Sequence, residues 1–174
     1  AYSRDEGRDD VIAVAPDVGA SKFVTHFSRS LSITSAIASK YRPRPEEVVI
    51  SEIIGDFRNK KTAIILDDMI SNGGTIHSLA KKLVEEKGIS EVYIGVSHNL
   101  SVGKARERLV ELHEKYNLQE VLFTNSIPQS EDFLSLPFVR ITCLSDILAR
   151  TINRIHYHRS VSELFASPLR KPQE

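Results

Sequence analysis

Short apolar runs alternate with segments of helical spacing along most of the 174-residue chain. The runs VIAVA, AIIL, EVYIGVS, EVLFTN and FVRITC predict strands. Apolar residues three and four positions apart predict helices between or after these runs, from about Ser21 to Leu31, from Ile76 to near Gly88, from roughly Lys104 to Tyr116, and around residues 147–155. This alternation predicts an α/β fold with a parallel β-sheet that has helices on both faces.

The region between the first helix and AIIL has a different pattern. A short strand is predicted around Ile33 to Ala38. The next segment, SKYRPRPEE (39–47), carries prolines and basic residues that predict an exposed, mobile loop. EVVISEII (47–54) then predicts a strand outside the main sheet. No internal repeat interrupts the pattern, so residues 1–174 are predicted to form a single domain.

Composition narrows the class of protein but not its function. Hydrophobic residues make up 41% of the chain, and 23 basic residues balance 23 acidic ones, which gives no indication of a nucleic-acid partner or an anionic membrane. No apolar run approaches the roughly 18–20 residues of a membrane span. Cys143 is the only cysteine, which excludes an intrachain disulfide and fits a reducing compartment. We therefore expect a soluble, cytoplasmic domain.

The stretch AIILDDMISNGGT combines a strand, two acids and a glycine-rich loop. Asp67 and Asp68 are expected at the carboxyl edge of the sheet, where ligands bind in such folds. Residues 71–75 are expected to begin a helix whose free N–H groups can bind a phosphate, while the carboxylates accept hydrogen bonds from vicinal hydroxyls. Together they would suit a phosphorylated sugar. An equally tenable interpretation is a solvated strand end, a plain turn and Thr75 as a helix cap.

Several segments together resemble one enzyme family. AIILDDMISNGGT resembles the phosphoribosyl pyrophosphate (PRPP) binding motif of type I phosphoribosyltransferases. APDVGASK (15–22) resembles the pyrophosphate loop of ribose-phosphate diphosphokinases, the PRPP synthetases, and SKYRPRP resembles their catalytic flexible loop. The segments SHN (97–99), TNSIP (124–128) and SVSELF (160–165) occur in that family in this order. The resemblance implies a type I phosphoribosyltransferase fold.

The resemblance also implies a reaction, in which pyrophosphate moves from Mg-ATP to ribose 5-phosphate to give PRPP and AMP. It implies Mg²⁺ as cofactor and a homo-oligomer. The residues that it implies for binding ribose 5-phosphate are Asp67, Asp68, Ser71, Asn72, Gly73, Gly74, Thr75 and Arg42. The implied pyrophosphate loop consists of Asp17, Val18, Gly19 and Ala20, with Asp17 as a metal ligand, and the implied catalytic residues are Lys40 and Arg42. For His98 and Arg44 a structural or surface role is at least as probable.

Two departures from the family pattern leave alternatives open. Ser71 stands where many members carry an aspartate, and serine is no general base unaided. The chain also starts just before the pyrophosphate loop, which predicts that it is the C-terminal half of a synthetase without the half that forms most of the adenine site. We therefore expect the isolated chain to fold and to be inactive. The alternatives are a non-catalytic regulatory or assembly protein, and a phosphoribosyltransferase that uses PRPP.

Overall fold

The structure is a computed structural model, and it describes residues 9–44 and 47–166. Within these ranges the strands are β1 (Val11–Ala15), β2 (Thr34–Arg44), β3 (Glu47–Ile54), β4 (Thr62–Ile70), β5 (Glu91–Asn99), β6 (Leu118–Thr124) and β7 (Val139–Thr142). The helices are α1 (Ser21–Leu31), α2 (Gly74–Lys87), α3 (Ala105–Lys115), α4 (Glu131–Leu134), α5 (Ser145–His156) and α6 (Glu163–Ala166). Among these described helices, none combines the length and the apolar character that a membrane crossing requires.

The strands form one seven-stranded sheet in the order β3-β2-β1-β4-β5-β6-β7. Every neighbouring pair is parallel except β2 and β3. From β1 the chain proceeds outward to β2 and β3, and then returns to place β4 on the other side of β1. The sheet therefore has its topological switch point between β1 and β4, where ligands bind in open α/β sheets.

Helices cover both faces of the sheet, which confirms the predicted fold class. Helix α1 packs on one face, where Val24 joins Ala13, Ala15 and Leu66 in a small buried cluster. Helices α2 and α3 pack on the other face over the main core, to which α2 contributes Leu79 and Leu83 and α3 contributes Leu109 and Leu112. Both clusters form because apolar side chains at helical spacing meet the alternating apolar positions of the central strands.

Helix boundaries agree closely with the sequence pattern. Helix α1 spans the predicted residues 21–31, and α2 ends at Lys87 with Gly88 as its left-handed C-cap. Helix α5 carries the predicted apolar residues Leu148, Ile152 and Ile155, but all three are exposed and no residue of this helix is buried. The predicted helix is therefore present, and its apolar face is exposed in the described part of the chain. The short helices α4 and α6 had no counterpart in the predicted pattern.

The region 39–54 corrects two predictions. The expected loop is the end of strand β2, which continues to Arg44, and β3 is not outside the sheet but forms its antiparallel edge. The prolines indicated a loop, but Pro43 falls at a register shift between Tyr41 and Arg44, where the ladder of hydrogen bonds is already interrupted. A bulge near the edge of a sheet tolerates proline because no regular N–H donor is needed there.

Candidate functional site

Two loops at the switch point carry the predicted site residues. The loop after β1, residues 16–20, leads into α1 and holds Asp17. The loop after β4, residues 71–73, leads into α2. Asp67 and Asp68 lie within β4 itself, because this strand runs four residues beyond the apolar run AIIL toward the loop. Since β1 and β4 are adjacent and parallel, both loops leave the same edge of the sheet.

A cavity of about 490 Å³ opens between the loop after β1 and the carboxyl ends of β4 and β5. Its lining includes the three carboxylates of Asp17, Asp67 and Asp68, together with Gly19, Ala20, Phe23 and Ser97. The structure therefore brings the predicted metal ligand and the two predicted ribose-binding acids into one site. The cavity lining does not include the glycine-rich loop 71–75, which continues from β4 beside α3.

Asp17 is held by a cation and by backbone N–H groups. Its Oδ2 pairs with Lys40 Nζ, and its Oδ1 accepts a hydrogen bond of 3.2 Å from the Ala20 N–H. The hydrogen bond from Lys40 is the largest cause of a lowered Asp17 pKa, followed by the opposing effect of burial and then by the backbone donors. Asp17 is therefore a carboxylate at neutral pH with its charge already neutralised.

Asp67 lies in the opposite electrostatic situation. Burial raises the pKa of its carboxyl group to about 6, and the negative charges of Asp68 and Asp17 act in the same direction. The Asp68 N–H donates a hydrogen bond of 3.0 Å to Asp67 Oδ1, which limits the rise. Among the side chains that the structure describes, no lysine or arginine forms an ion pair with Asp67. A ligand that offers hydroxyl donors or a cation would therefore relieve an unfavourable charge at this position.

The observed position of Lys40 differs from the position predicted from the sequence. This residue was expected in an exposed, mobile loop, but it lies on β2 opposite Ile50 of β3 and its side chain is 27% exposed. Ile37 pairs with Ala15 at the end of β1, so Lys40 lies beside the loop that follows β1, and its ammonium reaches Asp17 there. The side chain of Arg42, the other predicted catalytic residue, lies outside the described part of the structure, as does that of Arg44.

The loop after β4 leads into a helix start at which only the Gly74 N–H bonds to a side chain among the described residues. Gly73 is the N-cap of α2 with a left-handed backbone (φ +74°), and no side chain caps the helix. Thr75 lies in the first helical turn, so the interpretation of Thr75 as the cap is wrong. Asn72 Oδ1 accepts a hydrogen bond of 2.9 Å from the Gly74 N–H, in an Asx turn. This loop offers the amides that a phosphate group requires.

Three residues near this loop were not predicted to belong to the site. Arg108 of α3 donates a hydrogen bond of 2.6 Å from Nη1 to the Asn72 carbonyl. Asn99, fully buried at the end of β5, donates to Gln129 Oε1 at 2.8 Å, and Gln129 donates back to the Asn99 carbonyl at 2.7 Å. Asn99 and Gln129 lie in or beside the segments SHN and TNSIP, so a sequence signal existed for both, whereas the sequence gave no signal for Arg108.

His98 of the same SHN segment has an ordinary polar role. Its Nδ1 lies 2.8 Å from Ser126 Oγ, which joins the end of β5 to the loop after β6. Thr124 Oγ1 donates to the Ser97 carbonyl at 2.6 Å across the same two strands. These bonds fix the wall of the cavity at Ser97 and agree with a structural role for His98.

The donor set of the site fits a Mg²⁺ ion only together with a substrate. Asp17 offers the hard oxygen ligands that Mg²⁺ prefers. Within residues 9–44 and 47–166, no group of three His, Cys, Asp or Glu side chains is close enough to hold a metal ion by itself. Mg²⁺ commonly binds through one or two carboxylates and completes its shell with substrate phosphates and water, so Asp17 is compatible with such an ion.

The chain is similar to known proteins over most of its length. Residues 8–166 match the model of the family described as phosphoribosyl synthetase-associated domain. The ribose-phosphate pyrophosphokinase of Gloeobacter violaceus is 36% identical over 165 residues, which cover 94% of this chain and 48% of that protein. The enzyme of the same name from Buchnera aphidicola is 37% identical over 155 residues, 88% of this chain and 47% of that protein. The chain thus spans about half the length of the curated relatives it matches.

Solved structures agree with the fold. A phosphoribosylpyrophosphate synthetase from Mycobacterium smegmatis superposes with a TM-score of 0.68 at 27% identity, over 86% of this chain and 46% of that one. An adenine phosphoribosyltransferase from Trypanosoma brucei superposes with a TM-score of 0.50 at 15% identity, over 84% of this chain and 71% of that one, and supports the fold alone.

Proposed function

Because the chain belongs to the phosphoribosyl synthetase-associated domain family, we propose that it forms the sugar-phosphate half of a ribose-phosphate diphosphokinase. In this reaction the C1 hydroxyl oxygen of ribose 5-phosphate forms a bond with the β-phosphorus of ATP. The bond from that phosphorus to the α,β-bridging oxygen breaks, the hydroxyl proton is released, and the products are PRPP and AMP. The observation that carries the proposal is the convergence of Asp17, Asp67 and Asp68 on one cavity at the switch point.

In this proposal the two loops bind different parts of the substrates. Asp67 and Asp68 accept hydrogen bonds from the ribose hydroxyls, and the amides of residues 71–75 bind the 5-phosphate. The backbone of residues 17–20 binds the pyrophosphoryl group as it moves. Both halves of the substrate complex then lie at the ends of adjacent strands, which supplies the positioning on which phosphoryl-type transfer depends.

Lys40 supplies a positive charge that can exchange one ionic partner for another. In the unliganded site it neutralises Asp17. When the polyphosphate binds, the ammonium exchanges this partner for phosphate oxygens, and Asp17 becomes available to Mg²⁺. The ion would neutralise the negative charge that spreads over the transferred group. Arg42, two residues further along β2, is proposed to assist with the same charge and to contact ribose 5-phosphate.

The donor site lies elsewhere in this proposal. The adenine pocket belongs to the half of the relatives' length that this chain does not match, and the active protein is a homo-oligomer in the cytoplasm. The chain alone therefore binds ribose 5-phosphate and makes no PRPP, because donor and acceptor are not held in line.

One observation favours a second candidate function. Ser71, whose carbonyl accepts a hydrogen bond from the Val102 N–H, provides no carboxylate in the loop after β4. A protein that binds ribose 5-phosphate without transferring pyrophosphate, and that regulates or assembles with an active synthetase, would need no acid there.

A fusion protein distinguishes the two candidate functions. The test measures AMP formed from Mg-ATP and ribose 5-phosphate by this chain alone, and by this chain fused to the part of the Gloeobacter violaceus enzyme that it does not cover. The intact Gloeobacter enzyme is the positive control. We expect no AMP from the chain alone and AMP from the fusion.

A folded fusion that binds both substrates and forms no AMP would favour the non-catalytic function. Restoration of AMP formation by Ser71→Asp in that fusion would then identify Ser71 as the cause. Rapid AMP formation by the isolated chain would refute the proposed location of the donor site.

A further inference from the structure

Arg108 lies against the back of the loop that follows β4. Its Nη1 donates a hydrogen bond of 2.6 Å to the Asn72 carbonyl, although 36 residues separate the two positions in the sequence. A Cβ atom on Gly74 would lie 3.3 Å from the same Nη1 and 3.7 Å from Cζ. The guanidinium thus packs on the loop where glycine leaves room for it.

The guanidinium is not committed to a carboxylate. Among the ion pairs of the described residues, none involves Arg108, and the bond to Asn72 uses one of its five N–H donors. The described contacts of the guanidinium are therefore with the loop and not with an acid.

The bond to the carbonyl determines the direction of the next N–H group. The described residues contain no cis peptide bond, so the carbonyl of Asn72 and the N–H of Gly73 point in opposite directions. Because the carbonyl points to the Arg108 guanidinium, the Gly73 N–H points away from that guanidinium. The positive charge also polarises this peptide and makes its N–H a stronger donor.

The rest of the loop is fixed to the same region by backbone bonds. The Leu100 N–H donates to the Ile70 carbonyl at 2.8 Å, and the Val102 N–H donates to the Ser71 carbonyl at 3.1 Å. These two bonds fix the strand side of the loop, and neither acts on the Asn72–Gly73 peptide. Arg108 alone among the described side chains donates to that peptide.

We propose that Arg108 is a positioning residue for the phosphate of the sugar phosphate, acting through the Asn72–Gly73 peptide rather than by touching the ligand. This role rests on the proposed binding of ribose 5-phosphate at residues 71–75. It deepens that function by assigning the orientation of one phosphate-binding amide to a residue of another helix.

The test compares Arg108→Ala with Arg106→Ala. Arg106 is exposed on the same helix, and its loss removes the same charge without removing a contact to the loop. Ribose 5-phosphate is titrated into each ¹⁵N-labelled chain, and the amide signals of Gly73, Gly74 and Thr75 give the Kd. We expect Arg108→Ala to weaken binding about tenfold and Arg106→Ala less than about twofold. Tenfold corresponds to about 1.4 kcal/mol, which is about the size of one hydrogen bond from the Gly73 N–H to a charged phosphate oxygen.

Two further readouts separate positioning from general stability. In the unliganded chain, the Gly73 amide signal should move in Arg108→Ala and stay in place in Arg106→Ala, while the melting temperatures of the two variants agree within a few degrees. Arg108→Lys, which keeps a charged donor of similar reach, should recover part of the affinity. If the alanine variant does not fold, Arg108→Gln replaces it under the same criteria.

The outcomes also separate this inference from the function on which it rests. If the unmodified chain shows no shifts at Gly73, Gly74 and Thr75, the proposed phosphate site itself is wrong. If it binds there and Arg108→Ala binds as tightly as Arg106→Ala, the role of Arg108 is wrong and the phosphate site stands.

Discussion

Asp17 and Asp67 face the same cavity from adjacent strands and have opposite electrostatic environments. Lys40 lowers the pKa of Asp17, whereas burial and two neighbouring acids raise the pKa of Asp67 to about 6. The two sides of the cavity differ in the same way. A lysine of β2 neutralises the carboxylate of the loop after β1, whereas Asp67 and Asp68 on the β4 side form no ion pair with a described side chain.

This electrostatic difference indicates which chemical group each side of the cavity suits. The loop after β1 has a lysine that can exchange Asp17 for a phosphate, so it suits a group that brings negative charge. The β4 acids are relieved by hydroxyl donors, so they suit a sugar ring. Such divergent environments for neighbouring carboxyl groups are typical of functional sites.

The largest expected effect comes from removing the cation of the first loop. In the fusion protein, Lys40→Ala should reduce the rate of AMP formation about 100-fold or more. Loss of one preorganised charge-stabilising group commonly lowers a rate by that factor. The same substitution should lower the free energy of unfolding by only about 1 kcal/mol, as a partly exposed ion pair contributes little. The assay is AMP release, together with thermal unfolding.

Lys115→Ala is the matched control for that variant. Lys115 also forms an ion pair, with Glu111 on α3, and lies away from both loops. Its removal should leave AMP formation unchanged. If Lys40→Ala retained turnover and instead lost several kcal/mol of stability, Lys40 would be a structural residue of the hairpin and not a catalytic one.

A smaller effect is expected from the glycines of the two loops. Gly73→Ala should destabilise the chain by about 1–2 kcal/mol, because its left-handed backbone is strained for a residue with a Cβ. Gly19→Ala should cost about 0.5 kcal/mol, because Gly19 has no such backbone and its Cβ would only push the Asp17 carboxylate, 3.0 Å away, from its present hydrogen bonds. Urea unfolding of both variants measures the difference, and equal costs would contradict the contrast drawn between the loops.

The last expected effect has the opposite sign and is a pH-dependent gain in stability. The folded pKa of Asp67, about 6, lies above its ordinary value of 3.8, so its ionisation opposes folding fully above pH 6 and not at all below pH 3.8. Asp67→Asn, which can still accept the Asp68 N–H, should therefore raise the melting temperature at pH 7.5. The gain should shrink as the pH falls toward 4.

Asp56→Asn is the comparison variant, and its change in melting temperature at pH 7.5 should have the opposite sign. Arg58 lowers the pKa of the exposed Asp56, so this carboxylate stabilises the fold above pH 3.8 and loses its effect as the pH falls. Its replacement should lower the melting temperature slightly at pH 7.5. A loss of stability at pH 7.5 for Asp67→Asn would show that this acid already has a favourable partner.

Regular periodicity made most of the fold predictable from the sequence. Helices α1 and α2 were predicted within a residue or two, because their apolar spacing is regular and a left-handed glycine ends α2. The β2–β3 hairpin was not predictable in the same way. Its prolines indicate a loop by local rules, and only the edge position and the register shift of the folded sheet accommodate them.

The site could be predicted only where its residues are contiguous. AIILDDMISNGGT contains the acids and the phosphate loop in one run, so local reasoning was sufficient. The ion pair of Asp17 with Lys40 joins residues 23 positions apart, and Arg108 reaches Asn72 across 36 positions. These contacts depend on the packing of β2 beside β1 and of α3 beside α2, which no local pattern specifies.

The most direct test of the central claim is a sequential titration of the ¹⁵N-labelled chain, first with ribose 5-phosphate and then with pyrophosphate and Mg²⁺. We predict that ribose 5-phosphate shifts the amide signals of Gly73, Gly74 and Thr75, and that the second addition shifts those of Gly19 and Ala20. Ribose 5-phosphate shifts that spare residues 73–75 and cluster elsewhere would contradict the assignment of the two loops.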